Sequence, residues 1–219
     1  PGLNPGMNPL LILSSAKPDS IEVPKLAFLP LMQRRRLSSL GRVVLSTLYP
    51  LFDKYGRGNN SPSSVILASR WGDIQLTVKA LEELSSEKTL SPTGFSTSVH
   101  NAIGGLFSMF AHFTGNITSM AAGENTIGSA LIEAKAQLVE YPLVFVSIYE
   151  DKTPEVFDKY GKIPFPFAVT LVLSNETDRD CALAWKEHLV AKNVSDAPIL
   201  TQLYEFLTWL DTERRHEGE

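Results

Sequence analysis

Three apolar runs constrain the fold most strongly: "SVILAS" (Ser64–Ser69), "PLVFVSIYE" (Pro142–Glu150) and "FPFAVTLVLS" (Phe165–Ser174). Each is short and almost unbroken in apolar residues. A strand covered on both faces reads this way, because neither face can be left polar. Between the runs lie longer segments with helical period. Leu37, Leu40, Val44, Leu48 and Leu51 form one apolar stripe, and Pro50 is expected to disturb its end. "GDIQLTVKALEEL" predicts a helix with Ile74, Val78 and Leu81 inward, and "SVHNAIGGLFSMF" one with Val99, Ile103, Leu106 and Phe110 on one stripe. A short strand near Asn116–Ser119 precedes a helix with Ile127, Leu131, Ala134 and Leu138 inward. "CALAWKEHLV" and "ILTQLYEFLTWL" read as two closing helices. "DKYGRGNNSPSS" and "SEKTLSPTGFSTS" read as loops, and "DKTPEVFDKYGKIP" as a loop or lid. The alternation predicts a layered α/β domain, with helices packed on a mixed sheet. Residues 1–25 read as a Pro-rich extension, and 26–219 as one domain that includes the closing helices.

Charge and cysteine content narrow the function classes. The chain has 219 residues, with 20 basic against 24 acidic, and nothing in that balance suggests nucleic acid as the main ligand, which usually needs a basic surface. Its one cysteine, Cys181, excludes an internal disulfide and a cysteine-based zinc cluster, and fits a reducing, cytoplasmic compartment. No apolar run approaches the roughly 20 residues of a membrane span. "PGLNPGMNP" has neither the charged nor the apolar region of a signal peptide and reads as a ragged end. The sequons at Asn116, Asn175 and Asn193 then read as chance. No metal ligand set and no cofactor motif stand out.

The stretch "ITSMAAGENTIGSA" (Ile117–Ala130) reads as a strand, a tight turn of small residues and a helix start. A strand-to-helix elbow of this kind presents one side chain next to helix N–H groups, and acyl-transfer enzymes mount nucleophiles there. Met120 occupies the presenting position, and a thioether forms no thiolate.

The order "SPTGF", "SVHNAIGGLFSM", "NITSMAAG", "TIGSA" resembles the N-terminal half of β-ketoacyl synthases, of the thiolase-like fold. "SVILASRWGDIQ" is similar to that family's early strand and glycine turn, and "FAVTLVLS" to the strand closing its N-terminal half. The likeness spans roughly Leu26 to Ser174. It implies a thiolase-like half-domain in which the family's nucleophilic cysteine, seven positions before the Ile-Gly motif, corresponds to Met120. The family's two catalytic histidines belong to a C-terminal half, and His100, His112, His188 and His216 match neither motif. "AFLPLMQRRRLS", "SPTGFSTSVHNAIGGLFS" and "AAGENT" further resemble the short chain-length-factor-like proteins of bacterial aryl polyene clusters.

That resemblance implies an inactive subunit of a type II polyketide system. Its partner would be an active ketosynthase, as a heterodimer or a dimer of heterodimers, and through that complex an acyl carrier protein. The family's two-fold axis implies an interface at Gly115, Asn116, Ile117, Thr118 and Ser119, with Gly104, Gly105, Phe107 and Met109 of the preceding helix beside it. Phe95, Leu106, Phe107 and Met109 become the acyl-tunnel candidates. The rival enzyme readings are an acyltransferase or thioester hydrolase using Ser119, or a decarboxylase needing no cysteine. A third is a scaffold without a tunnel role. Simpler readings stand beside these. Met120 and the Phe107, Phe110, Phe113 set also fit core packing, and Cys181 a buried inert thiol. His100 with Asn101 fits a helix surface or interface, and Glu124 fits complementing a helix dipole. Arg34–Arg36 read either as a solvated face or as a contact with the carrier protein or partner.

Overall fold

A computed structural model of the chain describes residues 10–11, 23–57, 62–86, 89–174 and 198–216. Its centre is a mixed sheet in the order β1-β5-β4-β2-β3, built from β1 (Leu10–Leu11), β2 (Ser63–Ala68), β3 (Asn116–Met120), β4 (Leu143–Glu150) and β5 (Phe167–Ser174). β2 runs parallel to both β3 and β4, while β5 is antiparallel to β4. The three expected runs are therefore β2, β4 and β5, and every residue of β2 and β4 is buried. β1 comes from the segment read as an extension and pairs through Leu10 and Leu11 with Thr170 and Val169.

Period-2 alternation sorts the sheet's side chains into two cores. Val65, Leu67, Phe145, Tyr149 and Ala168 face one layer, made by α2 (Ser39–Leu51) and α5 (Ala102–Ala111). Ile66, Ala68, Val144, Val146, Ile148, Val169, Leu171 and Leu173 face the other, made by α6 (Thr126–Gln137) and α7 (Ile199–His216). The β2-to-β3 connection thus runs over one face, and the β3-to-β4 connection returns over the other. Crossovers of one handedness require this when the chain reverses direction across parallel strands.

α2 buries Leu40, Val44, Leu48 and Leu51 of the expected stripe, with Leu45 beside them, whereas Leu37 is buried but lies before the helix begins. Ser38 caps it by accepting from Gly41 N at 2.9 Å. Pro50 does not break the helix. It sits one residue before the end, after which the chain widens into a π-helical turn, Phe52–Gly56. Where α2 crosses the sheet, Thr47 Oγ1 meets Thr170 Oγ1 at 2.8 Å, and Ser147 Oγ meets the same oxygen at 2.9 Å. This satisfies three hydroxyls inside an otherwise apolar layer.

Three local expectations are corrected. α3 (Ile74–Ser85) forms, but only Ile74 is buried; Leu81 is 56% and Leu84 53% exposed. The helix packs on the helix that follows it, α4 (Pro92–Ser98), rather than on the sheet, so its stripe meets no core. "SPTGFSTS" is not a loop: Pro92–Ser98 is a helix, α4, with Ser91 as N-cap accepting from Gly94 N and Pro92 at its first position. α5 begins at Ala102, so Val99 precedes it in extended conformation and is exposed. The expected helix "CALAWKEHLV" lies outside the described residues.

Candidate functional site

The C-terminal ends of the parallel strands β2, β3 and β4 meet at one edge of the sheet, where open α/β sheets commonly present their functional groups. Met120 is the last residue of β3. It is partly buried, packs toward the α6 and α7 layer, and its carbonyl accepts from Ser69 N at 3.1 Å. The elbow after it is held by Thr126, whose hydroxyl donates to Gly123 O at 2.7 Å and accepts from Ala122 N at 3.1 Å. Gly123 has φ of +56°, a conformation that suits glycine.

Ser119 points the opposite way, as its place one residue earlier in a strand requires. Its Oγ is buried and has no hydrogen-bond partner among the described residues. A serine nucleophile needs a base within hydrogen-bond reach, and none is in contact here. His100 instead donates from Nε2 to Ser69 O at 2.8 Å, and its ring lies against Gly72, which has φ of +61°. His112 is the left-handed residue that ends α5. Among the described residues no group of histidine, cysteine and acidic side chains is arranged to hold a metal. Cys181 and His188 lie outside the described residues.

Sequence reasoning missed a partly buried charged network at this edge. Arg70, just past β2, donates through its guanidinium to Glu124 of the elbow and, at 3.0 Å, to Tyr160 O. Its backbone N–H donates to the Glu150 carboxylate at the end of β4. Ser69 Oγ donates to Glu150 at 3.2 Å. One arginine therefore ties the elbow, two strand ends and the 3₁₀ turn Glu155–Tyr160 together. That turn is the expected lid segment, and it docks through Phe157 and Tyr160 on Trp71, at ring distances of 5.5 and 6.0 Å. Glu124, expected only to complement a helix dipole, is Arg70's partner. The available signals were charges set directly against apolar strands, in "ASRWGD" and "SIYED".

Burial sets the titration of this network. It pushes Glu150 up to about 7, against the opposing hydrogen bonds from Arg70, Ser69 and Trp71. Asp151 is raised to about 6 by burial and by the nearby Asp73, which burial also raises. Asp73 caps α3, accepting from Leu76 N at 3.4 Å.

The expected interface residues separate in the structure. β3 pairs with β2 on one side and with no strand on the other among the described residues. Its residues from Ile117 to Met120 are half-buried, and Asn116 is exposed. Gly115 serves the chain itself: a Cβ there would lie 2.8 Å from Ser63 O. Gly104 serves it likewise, since a Cβ would lie 2.9 Å from Leu67 Cδ1 and 3.0 Å from Ile117 Cγ2. Gly105 faces open space. Phe107, expected at the partner or tunnel, is fully buried, edge-on to Phe52 at 5.3 Å. Leu106 is buried in the same core, whereas Phe95 and Met109 are exposed. Helical periodicity explains the split, because Leu106 and Phe107 face the sheet while Gly105 and Met109 lie on the outer side.

The family described as β-ketoacyl synthase, N-terminal domain, matches residues 13–215. No curated protein matches the chain. Among solved structures, the chain is similar to one described as a ketosynthase (ApeO) in complex with its chain length factor (ApeC) from Xenorhabdus doucetiae. The TM-score is 0.62 at 24% identity, covering 75% of this chain and 68% of that one. It is also similar to the ishigamide ketosynthase/chain length factor (TM-score 0.55, 13% identity, covering 73% and 49%). A third is a β-ketoacyl synthase from Burkholderia phymatum STM815 (TM-score 0.57, 16% identity, covering 80% and 48%). At these identities the likeness concerns the fold. The chain spans about half the length of the latter two.

Proposed function

Because the chain belongs to the β-ketoacyl synthase N-terminal-domain family, we propose that it is a non-catalytic, chain-length-factor-like subunit. It pairs with an active ketosynthase, stabilises it and helps shape the acyl tunnel during elongation of an aryl polyene on an acyl carrier protein. The observation that supports this reading is β3, which among the described residues pairs with no strand along its outer edge; it ends in Met120, the residue that the resemblance aligns with the family's nucleophile. An unpaired edge is a template for strand addition, so a partner strand across a two-fold axis completes the sheet. A thioether at the elbow leaves acyl transfer to the partner. No helix among the described residues is long and apolar enough to cross a membrane.

The tunnel role now rests on Phe95 and Met109, which are exposed, while Leu106 and Phe107 are buried in the core. Co-expression with a candidate ketosynthase partner, size-exclusion chromatography and acyl-loading mass spectrometry test the reading. The expected result is a stoichiometric complex with acyl mass on the ketosynthase alone. Acyl uptake by this chain in isolation, abolished by Ser119→Ala, would establish the acyltransferase or hydrolase reading in its place. Substitutions at Phe95 that alter complex yield but never product length would leave only a scaffold.

A further inference from the structure

We propose that the outer edge of β3 selects a strand carrying a cationic, hydrogen-bond-donating side chain and disfavours a second copy of this chain. The inference rests on the reading above, that another subunit's strand pairs with β3, and names the chemistry by which that strand is chosen.

Three side chains line this edge on the α6 face of the sheet. Thr118 points to that face, as alternation requires: Ile117 packs with the α2 and α5 core, and Met120 with the α6 core. Glu133 and Gln137 lie one turn apart on α6. Gln137 Nε2 donates to Thr118 Oγ1 at 3.0 Å and to Glu133 Oε1 at 2.8 Å. The carboxylate fixes the orientation of the amide, because a carboxylate only accepts. Both amide hydrogens are therefore engaged within the row, and Oε1 is left over. That oxygen is buried and has no hydrogen-bond partner among the described residues, in a residue only 8% exposed. Glu133 is half-buried and in no ion pair among the described residues. Lys135 lies about 200° round the helix from Glu133 and faces away from it. The row thus presents an amide oxygen and a carboxylate, with the Thr118 hydroxyl as its one remaining donor.

Such a row fits a lysine or arginine at the residue that an added strand sets opposite Thr118, because opposite residues share a face. One cation there donates to Gln137 Oε1 and neutralises Glu133. A second copy does the reverse. Two-fold antiparallel pairing keeps the rows of both copies on one face of the joined sheet. Centred on Thr118, the midpoint of the strand, it brings them together across the axis. Each copy then offers the other a carboxylate, and neither holds a free N–H to answer it. Like charges set against each other as an interface dries act against the wrong partner. An edge otherwise open to self-pairing is in this way reserved for a different strand.

Analytical ultracentrifugation of the full-length chain tests the selection. The unaltered chain and Glu133→Lys are each expected to stay monomeric at micromolar concentration. An equimolar mixture of the two is expected to form a dimer that dissociates in high salt. Glu133→Gln, which keeps the size of the side chain, should self-associate roughly tenfold more tightly than the unaltered chain. With the candidate ketosynthase partner, Glu133→Lys should weaken the complex roughly tenfold or more, and Lys79→Glu on exposed α3 should leave it unchanged. Circular dichroism melts matching the unaltered chain establish that the variants are folded. Self-association of the unaltered chain as tight as that of Glu133→Gln would overturn the proposal. So would a mixture no more associated than its components, or a ketosynthase complex indifferent to Glu133→Lys. A mixture that pairs, beside a ketosynthase that the unaltered chain ignores, would support the selective edge and overturn the subunit reading.

Discussion

α2 and α3 carry nearly the same amphipathic pattern over nearly the same length, 13 and 12 residues, yet they are held by different forces. α2 lies across the sheet and buries seven residues along its stripe. α3 buries Ile74 alone and leaves Leu81 and Leu84 in solvent. What holds α3 is polar and sits at its N-terminus. Asp73 caps it, Asp151 accepts from Gln75 N, and Gln75 Nε2 donates to Lys152 O at 2.7 Å. An amphipathic stripe thus shows only that a helix can be buried; the neighbour it meets decides whether it is.

The contrast breaks most sharply by truncation. Leu48→Ala in α2 removes a fully buried side chain and is expected to cost about 2–5 kcal/mol in urea unfolding. Leu84→Ala in α3 is expected to stay within about 0.5 kcal/mol of the unaltered chain. Equal losses at the two positions would mean that α3 buries Leu84 against a partner element.

The buried carboxylates at the end of β4, of which Asp151 also anchors α3, predict a pH dependence with a definite sign. Glu150 is raised from 4.5 to about 7 and Asp151 from 3.8 to about 6, so the folded chain holds more protons than the unfolded one between these limits. Their stabilising contribution is complete below pH 4 and is lost as pH rises through 6 and 7, by on the order of 3 kcal/mol for Glu150. Glu150→Gln should flatten that part of the stability–pH curve. A curve as steep in the variant as in the unaltered chain would exclude Glu150 as its source.

α5 contains the same contrast in adjacent residues. Gly104→Ala must displace Leu67 and Ile117 and should cost about 1–3 kcal/mol. Gly105→Ala meets open space and should stabilise the helix by up to about 1 kcal/mol. Thermal denaturation of the two variants separates them. The smallest effect is kinetic: backbone amides of α3 should exchange with solvent faster than those of α2, because few buried contacts oppose local opening. Protection of α3 to the level of α2 would contradict its polar anchoring.

The sheet and its layers were legible because burial on both faces leaves a strand few polar positions, and inside β4 and β5 these are hydroxyls, Ser147 and Thr170, that bond each other. The elbow was legible because small residues flanked by a strand and a helical stripe have few other conformations. α4 was misread through its Ser, Thr and Gly content, although Ser91-Pro92 is a helix start that local chemistry can reveal. By itself the sequence determined which residues must avoid water, where the chain must turn, and that Met120 cannot act as a nucleophile. Only the tertiary structure decided that Gly104 serves this chain's own packing while Gly105 stays open, that α3 keeps Leu81 and Leu84 in solvent, and that Arg70 reaches Glu124 and Glu150. The first set follows from solvation, periodicity and side-chain chemistry, all local properties of the chain. The second depends on which elements meet across 54 and 80 residues of sequence separation, and no local pattern encodes that meeting.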